Sequence, residues 1–216
     1  MTILYNFATR SRPDKFKACI ENMQSLAIHP YKILVKADLD DSSMGQDYVP
    51  KHDNIIYAYG NSDSKIHAIN RDIDKVNDWD ILVNVSDDQL FNKYGFDDTI
   101  INSFDNNDQF LHFPDGNRSD LATMSIMGRK YFERFNYVYH PTYKSLWCDN
   151  EAQEVAISLG CYKFCNTHIF DHLHPAFGKG NYDAQYRKTE SYSMMDKANY
   201  ELRKFYGFPI NTDTVH

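Results

Sequence analysis

Glycine is scarce, nine in 216 residues, and the segment after the first expected strand, Thr9-Arg10-Ser11-Arg12, holds none. That argues against the glycine-rich loops whose backbone N–H groups cradle nucleotide phosphates. Cysteine is also sparse: Cys19, Cys148, Cys161 and Cys165 are too few for a disulfide framework, so reduced thiols and a cytoplasmic location are expected. No apolar run approaches the roughly 18 residues that a membrane span requires. Met1-Thr2-Ile3-Leu4-Tyr5-Asn6 lacks a basic start and a cleavage site, and reads as a first strand rather than a signal peptide. Positive charge is in deficit, 23 Lys and Arg against 30 Asp and Glu. This disfavours a general nucleic-acid binder, although it permits a local basic groove. No repeat, low-complexity tract or Pro/Gly/Ser linker divides the chain, so one domain is expected.

What is present suits an α/β enzyme. Hydrophobic residues make up 42% and aromatics 15%, enough to fill a sizeable core. Ile3 to Ala8 forms an apolar strand, and Pro13 opens a helix at a position where a missing N–H costs nothing. Phe16, Cys19, Ile20, Met23 and Ala27 then recur at helical spacing. Strands are expected over Tyr31–Ala37, Asn54–Tyr59 and Trp79–Val85, the last apolar almost throughout as in a covered parallel sheet. A helix capped by Ser62, Asp63 or Ser64 carries Ile66, Ile69, Ile73 and Val76 on one face. The alternation predicts a mostly parallel, Rossmann-like central sheet flanked by helices. Further strands are expected over 108–113, 122–127 and 162–170. Helices are expected from near Asp149 to Gly160 and over Met194–Phe205.

In open α/β sheets ligands bind beyond the carboxyl ends of the strands. That edge collects Thr9 to Arg12, the acidic loop Asp38-Leu39-Asp40-Asp41, and Ser86-Asp87-Asp88 after the fourth strand. Adjacent carboxylates directly after a buried strand are costly unless a cation or hydrogen bonds compensate them. Oxygen ligands of this kind suit Mg²⁺ or Mn²⁺, which also hold diphosphate oxygens. Against this stands a plain solvated turn, since Asp is common there. Asp149-Asn150-Glu151 opens a helix, where carboxylates either complement the dipole or act as a general base on an acceptor hydroxyl. Trp147 is placed to form an apolar wall for a sugar ring. His172 and His174 alternate along an extended segment, so one could complete a metal shell. A competing set, Cys161, Cys165, His168 and His172, has zinc-type ligands but not the usual spacing.

Taken in order, these segments resemble the GT-A glycosyltransferases, especially their small family-2-like members. The resemblance runs from a first strand ending Phe7-Ala8-Thr9-Arg10-Ser11-Arg12-Pro13, through the acidic loop, to Ser64-Lys65-Ile66-His67-Ala68-Ile69-Asn70-Arg71. That last segment is similar to the family's K-x-x-A-x-N helix. Ser86-Asp87-Asp88 stands in place of the D-x-D metal motif, Trp147 to Glu151 looks like the acceptor-side acidic motif, and His172 or His174 falls at a late metal ligand. Residues 2 to 180 are covered. Ser86 occupies the first D-x-D position, which leaves Asp88 as the direct metal ligand. The resemblance implies a GT-A domain over 1–180, with a helical C-terminal extension, 181–216, packed on it. It implies a nucleotide-sugar donor, a UDP-sugar above all, held through Mn²⁺ or Mg²⁺.

The resemblance also assigns roles. Thr9, Arg10 and Arg12 line the nucleotide pocket; Asp38 or Asp40 accepts from the base or ribose; Lys65 and Asn70 belong to the helix beside the nucleotide. Asp87 touches ribose, or the metal through water. Asp88 holds the metal with His172 or His174. Asp149 is the expected base for an inverting transfer, with Glu151 second. A saccharide is the expected acceptor, with a hydroxymethylated pyrimidine in DNA as an alternative resting on the basic, Tyr-rich segment 179–188. A nucleotidyltransferase and a non-catalytic sugar- or nucleotide-binding module are the remaining alternatives.

Overall fold

The computed structural model describes residues 1–45, 50–180 and 182–209. Its frame is a seven-stranded sheet. Strands β1 (Ile3–Ala8), β2 (Tyr31–Asp38), β3 (Ile55–Gly60) and β4 (Ile81–Val85) are followed in space by β7 (Ile126–Gly128), β6 (Phe110–His112) and β8 (Tyr162–Phe164), in the order β3-β2-β1-β4-β7-β6-β8. Six strands run one way. Only β7 opposes its neighbours. A two-stranded ribbon pairs β5 (Gln89–Phe91) with β9 (Phe170–His172), Gln89 opposite His172.

The two-residue period of the strands divides the core. Ile3, Tyr5 and Phe7 pack with Phe16, Ile20 and Met23 of α1 (Pro13–Leu26) on one face. Leu4, Leu34 and Leu82 meet Ile66 and Ile69 of α2 (Lys65–Asn70) on the other. Burying each large apolar side chain contributes roughly 1.5–3 kcal/mol. Register then positions the chemistry. Phe7 lies opposite both Val35 and Val85, so β1, β2 and β4 end on one edge and deliver Thr9, Asp38 and Ser86 to Asp88 together.

Three expected elements come out differently. The helix expected to run through Val76 stops at Asn70. Arg71 is drawn to the carbonyls of Ala58 (3.2 Å) and Ala37 (2.9 Å), and Asp72 adopts a left-handed φ of 63° before a short 3₁₀ turn, Ile73–Lys75. Ile73 and Val76 nevertheless reach the same core as Ile66 and Ile69. The strand expected over 162–170 is two strands in different sheets, β8 and β9. Of 122–127, only the end enters β7. The remaining helices are α3 (Phe96–Ser103), α4 (Arg129–Phe132), α5 (Cys148–Ser158), α6 (Ala184–Glu190) and α7 (Ser193–Phe205). Among the described residues, no helix is long and apolar enough to cross a membrane.

Candidate active site

Two adjoining cavities open at the carboxyl edge of β1, β2 and β4. The first, of about 120 Å³, is bordered by Thr9, Arg10, Arg12, Asp38, Lys65 and Asp87. The second, of about 390 Å³, is bordered by Asp115, Arg118, Cys148, Asp149, His172 and His174. Lys65, Ser86, Asp88, Ser145, Tyr186 and Thr189 border both. Asp88 therefore stands where the two spaces meet.

The first cavity is built on paired charges. Arg10 grips Asp38 (2.6 Å) and holds Asp40 with two bonds, 2.7 and 2.8 Å. Arg12 bridges Asp87 (2.8 Å) and Asp183 (2.7 Å), and its guanidinium lies 4.6 Å from the ring centre of Tyr186. Burial raises the pKa of Asp87; the Arg12 charge opposes that rise, and Asp88 adds to it. The second carboxylate oxygen of Asp38, Oδ1, 4.0 Å from Arg71 Nη2, and Nε of Arg12 are buried without a hydrogen-bond partner. A buried polar atom left unpaired is costly unless a ligand completes it. Lys65, Lys144 and Lys188 also border this cavity, and among the described residues none of the three forms an ion pair.

At the junction, Asp88 accepts from Ser86 Oγ and from the Tyr186 hydroxyl, and His172 Nε2 lies 3.6 Å from its Oδ2. The other ring nitrogen, Nδ1, is 3.3 Å from Asp115 Oδ2. Asp115 is fully buried and accepts the Asn117 and Arg118 backbone N–H groups and the Thr123 hydroxyl. Burial alone lowers the His172 pKa, but Asp115 and Asp88 outweigh it and raise it to about 9. The same contacts hold Asp88 far below the usual carboxylate range, against the opposing effect of burial. A proton on His172 thus places positive charge between two carboxylates. The His174 ring packs edge-on to His172, centroids 5.3 Å apart, and its Nδ1 accepts the Ala176 N–H.

This donor set fits a divalent cation of the Mg²⁺ or Mn²⁺ type. Asp88 offers a carboxylate, His172 an imidazole nitrogen oriented by a carboxylate behind it, as metal-ligating histidines usually are, and diphosphate oxygens and water can complete the shell. The zinc alternative fits less well. Cys161 and Cys165 are buried in separate core clusters; among the described residues no three His, Cys, Asp or Glu side chains form a metal-binding group, neither there nor at Asp88, His172 and His174.

Not every expected residue reaches these cavities. Asp149, at the start of α5, faces the second; burial raises its pKa, and its Oδ1 accepts the Asn150 N–H (3.0 Å). Glu151 lies elsewhere, taken up by Arg203 and the Tyr143 hydroxyl. Asn70 turns inward, donating to Tyr139 O (2.6 Å) and accepting from Val138 and Tyr139 N–H. Asp40 is largely exposed and meets the site only through Arg10. Trp147 packs on Tyr200, centroids 5.4 Å apart, instead of walling a sugar site. Residues that local pattern did not single out as site residues include Asp115, Lys144, Ser145, Asp183 and Tyr186. Asp115 sits in the turn Pro114-Asp115-Gly116-Asn117, and Tyr186 in the basic segment read as a DNA-stacking surface.

No family model matches the chain, and no curated protein matches it in sequence. Solved structures do. The Staphylococcus aureus TarS 1–349 structure superposes with a TM-score of 0.63 at 10% identity, over 79% of this chain and 60% of that one; TarS has also been solved with UDP-GlcNAc. The mannosyltransferase PcManGT from Pyrobaculum calidifontis, solved with GDP-Man and Mn²⁺, gives 0.59 at 10% identity over 97% of this chain and 72% of that one. A 4-diphosphocytidyl-2C-methyl-D-erythritol synthase from Anaerococcus prevotii gives 0.59 at 11% over 89% and 96%. This chain spans about 60% of the TarS fragment. With its parallel half-sheet, its antiparallel β7 and its flanking helices, the chain has the fold of the GT-A glycosyltransferases.

Proposed function

We propose that this protein transfers a sugar from a nucleoside-diphosphate sugar, a UDP-sugar in the first instance, to a hydroxyl of a saccharide acceptor, with inversion. One observation carries the reading: Asp88 stands between a cavity rich in cationic side chains and a larger one that presents Asp149. The nucleotide and its diphosphate fill the first, with Thr9, Arg10, Arg12, Asp38, Lys65 and Asp87 around them. The acceptor enters the second. Asp88 and His172, with His174 beside them, are the residues to hold Mn²⁺ or Mg²⁺, which when bound neutralises diphosphate charge.

Asp149 removes the proton from the acceptor hydroxyl as that oxygen attacks the anomeric carbon. The bond from anomeric carbon to β-phosphate oxygen breaks, and the nucleoside diphosphate leaves with its charge met by Lys65 and Arg12. A raised pKa makes the ionised Asp149 carboxylate a stronger base toward an alcohol, at pH values above that pKa. An anomeric proton coupling that shows retained configuration in the product would remove the need for that base.

The synthase among the structural relatives keeps a nucleotidyltransferase as a second reading. The products decide: sugar transfer releases a nucleoside diphosphate, whereas nucleotidyl transfer from a triphosphate releases pyrophosphate. Calorimetric titration of UDP, GDP and CMP, with Mn²⁺ and with chelator, tests the donor site. Metal-dependent binding of one nucleotide, lost in Asp88→Ala, is expected. No binding of any of them would overturn the reading. Glycosylation of hydroxymethylated against plain DNA tests the alternative acceptor, and equal results would end it.

A further inference from the structure

The turn at 144–146 belongs to no helix or strand, yet it is held from two sides. Asp196, in α7 and 1% exposed, accepts three consecutive backbone N–H groups: Lys144 at 2.9 Å, Ser145 at 2.8 Å and Leu146 at 2.8 Å. From the other side, the Ile66 N–H of α2 donates to Lys144 O at 3.3 Å. Three charge-assisted bonds to one buried carboxylate fix the turn closely. The side chains it presents are otherwise uncommitted. The Ser145 hydroxyl is buried with no hydrogen-bond partner, and Lys144 forms no ion pair among the described residues.

Their location suggests a ligand. Arg10, Asp38 and Ser62 border only the first cavity, which marks the base and ribose end. Ser145 borders both cavities with Asp88 and Lys65, which marks the end where diphosphate and sugar meet. We propose that the Lys144–Ser145 turn is a diphosphate-binding element of the donor site, with Asp196 as its positioning residue. This rests on the nucleotide-sugar reading above. Lys144, which borders only the first cavity, supplies charge to the diphosphate from the nucleotide side, and the unpaired Ser145 hydroxyl, at the junction of the two cavities, donates to an oxygen of the phosphate nearest the sugar. The C-terminal helix α7 thereby becomes part of donor recognition, although it touches the cavities only through this turn.

The test compares affinities for UDP and UMP, and for GDP and GMP, in wild type, Lys144→Ala, Ser145→Ala and Asp196→Asn. A contact to the second phosphate changes the diphosphate-to-monophosphate ratio, while a merely structural loss lowers both members of a pair alike. Lys144→Ala is expected to reduce the ratio about tenfold, and Ser145→Ala by about threefold to tenfold. Asp196→Asn is expected to reduce it likewise. Should that variant fail to fold, the first two, which leave the backbone staple intact, carry the test. Unchanged ratios in Lys144→Ala and Ser145→Ala, with wild type binding, would overturn this inference and leave the donor site standing. Failure of wild type to bind any of the four would bring down both.

Discussion

Glu151 of α5 and Arg203 of α7 meet in a two-pronged ion pair, 2.7 Å on each arm, with both side chains largely buried. The Tyr143 hydroxyl adds a third bond to the same carboxylate, also at 2.7 Å. Removing one partner of such a pair leaves an uncompensated buried charge. Glu151→Ala is therefore expected to lower folding stability by roughly 3–5 kcal/mol, measured by denaturant unfolding. Its turnover per folded molecule should stay near wild type. A stable but inactive Glu151→Ala would return Glu151 to the list of candidate bases.

Asp149 behaves differently because it faces a cavity rather than a partner. Asp149→Asn keeps size and shape and removes the base. A drop in kcat of about 10²–10⁴ is expected, with nucleotide affinity little changed. The sign of the pH effect follows from burial, which raises this pKa. The base acts when deprotonated, so wild-type activity should fall as pH drops through a pKa raised above the ordinary aspartate value. That acid limb should vanish from the residual activity of Asp149→Asn. A pH–rate profile of both proteins decides, and an identical limb in the variant would assign it to another group.

Tyr186 places its hydroxyl on Asp88, while Arg12 lies against its ring and pairs with Asp183 just before α6. A cation arriving at Asp88 competes with that hydroxyl for Oδ2. Tyr186→Phe keeps the ring and removes the competitor. Mn²⁺ affinity in the absence of nucleotide is expected to rise several-fold, of the order of one hydrogen bond to a charged group. Titration of Mn²⁺ followed by paramagnetic resonance reads this directly. Equal or weaker Mn²⁺ binding would mean that the hydroxyl assists the site.

Much of this arrangement was legible from local pattern, and the failures share a cause. The apolar alternation in Ile3–Ala8 and the helical spacing from Phe16 to Met23 marked β1 and α1, because burial there repeats at the element's own period. The strand-end rule brings Thr9, Asp38 and Asp87-Asp88 to one edge from the sequence alone. Helix α3 carries no such signal because the residue capping its N-terminus is Gly95 in a left-handed conformation, not the usual Ser or Asp. Residues 162–170 look continuous in hydropathy, but pairing partners β6 and β5 lie far away in sequence and split the segment in two. Glu151 carried the residue type of a base, and its partner Arg203 lies 52 residues on. Asp196, Asp183 and Tyr186 escaped for the same reason: their contacts to the site are long-range, and no spacing rule reaches them.

Lys36 poses a last question about stability. It lies in β2, 1% exposed, and its ammonium donates to Ile69 O at 2.5 Å; among the described residues it has no carboxylate partner. Burial pushes its pKa well below the usual lysine value, and Arg71 pushes the same way against Asp72 and Asp74. The unfolded chain then holds more protons at this site than the folded one, at any pH between the two pKa values. Stability contributed here must rise with pH across that window, up to about 10.4, and fall as pH is lowered through it. Buried tyrosines and cysteines titrate in the same range with the opposite sign, so the informative quantity is the difference between wild type and Lys36→Met. Asn6 Nδ2 also donates to Ile69 O (3.0 Å), so the carbonyl stays paired when the lysine is removed. Lys36→Met should be the more stable protein at pH 7 by about 1–4 kcal/mol, and its advantage should shrink as pH approaches 10. Denaturant unfolding of both proteins at pH 7, 8.5 and 10 measures this. A variant less stable at pH 7, with a gap that does not change with pH, would show that the buried ammonium is stabilised where it stands.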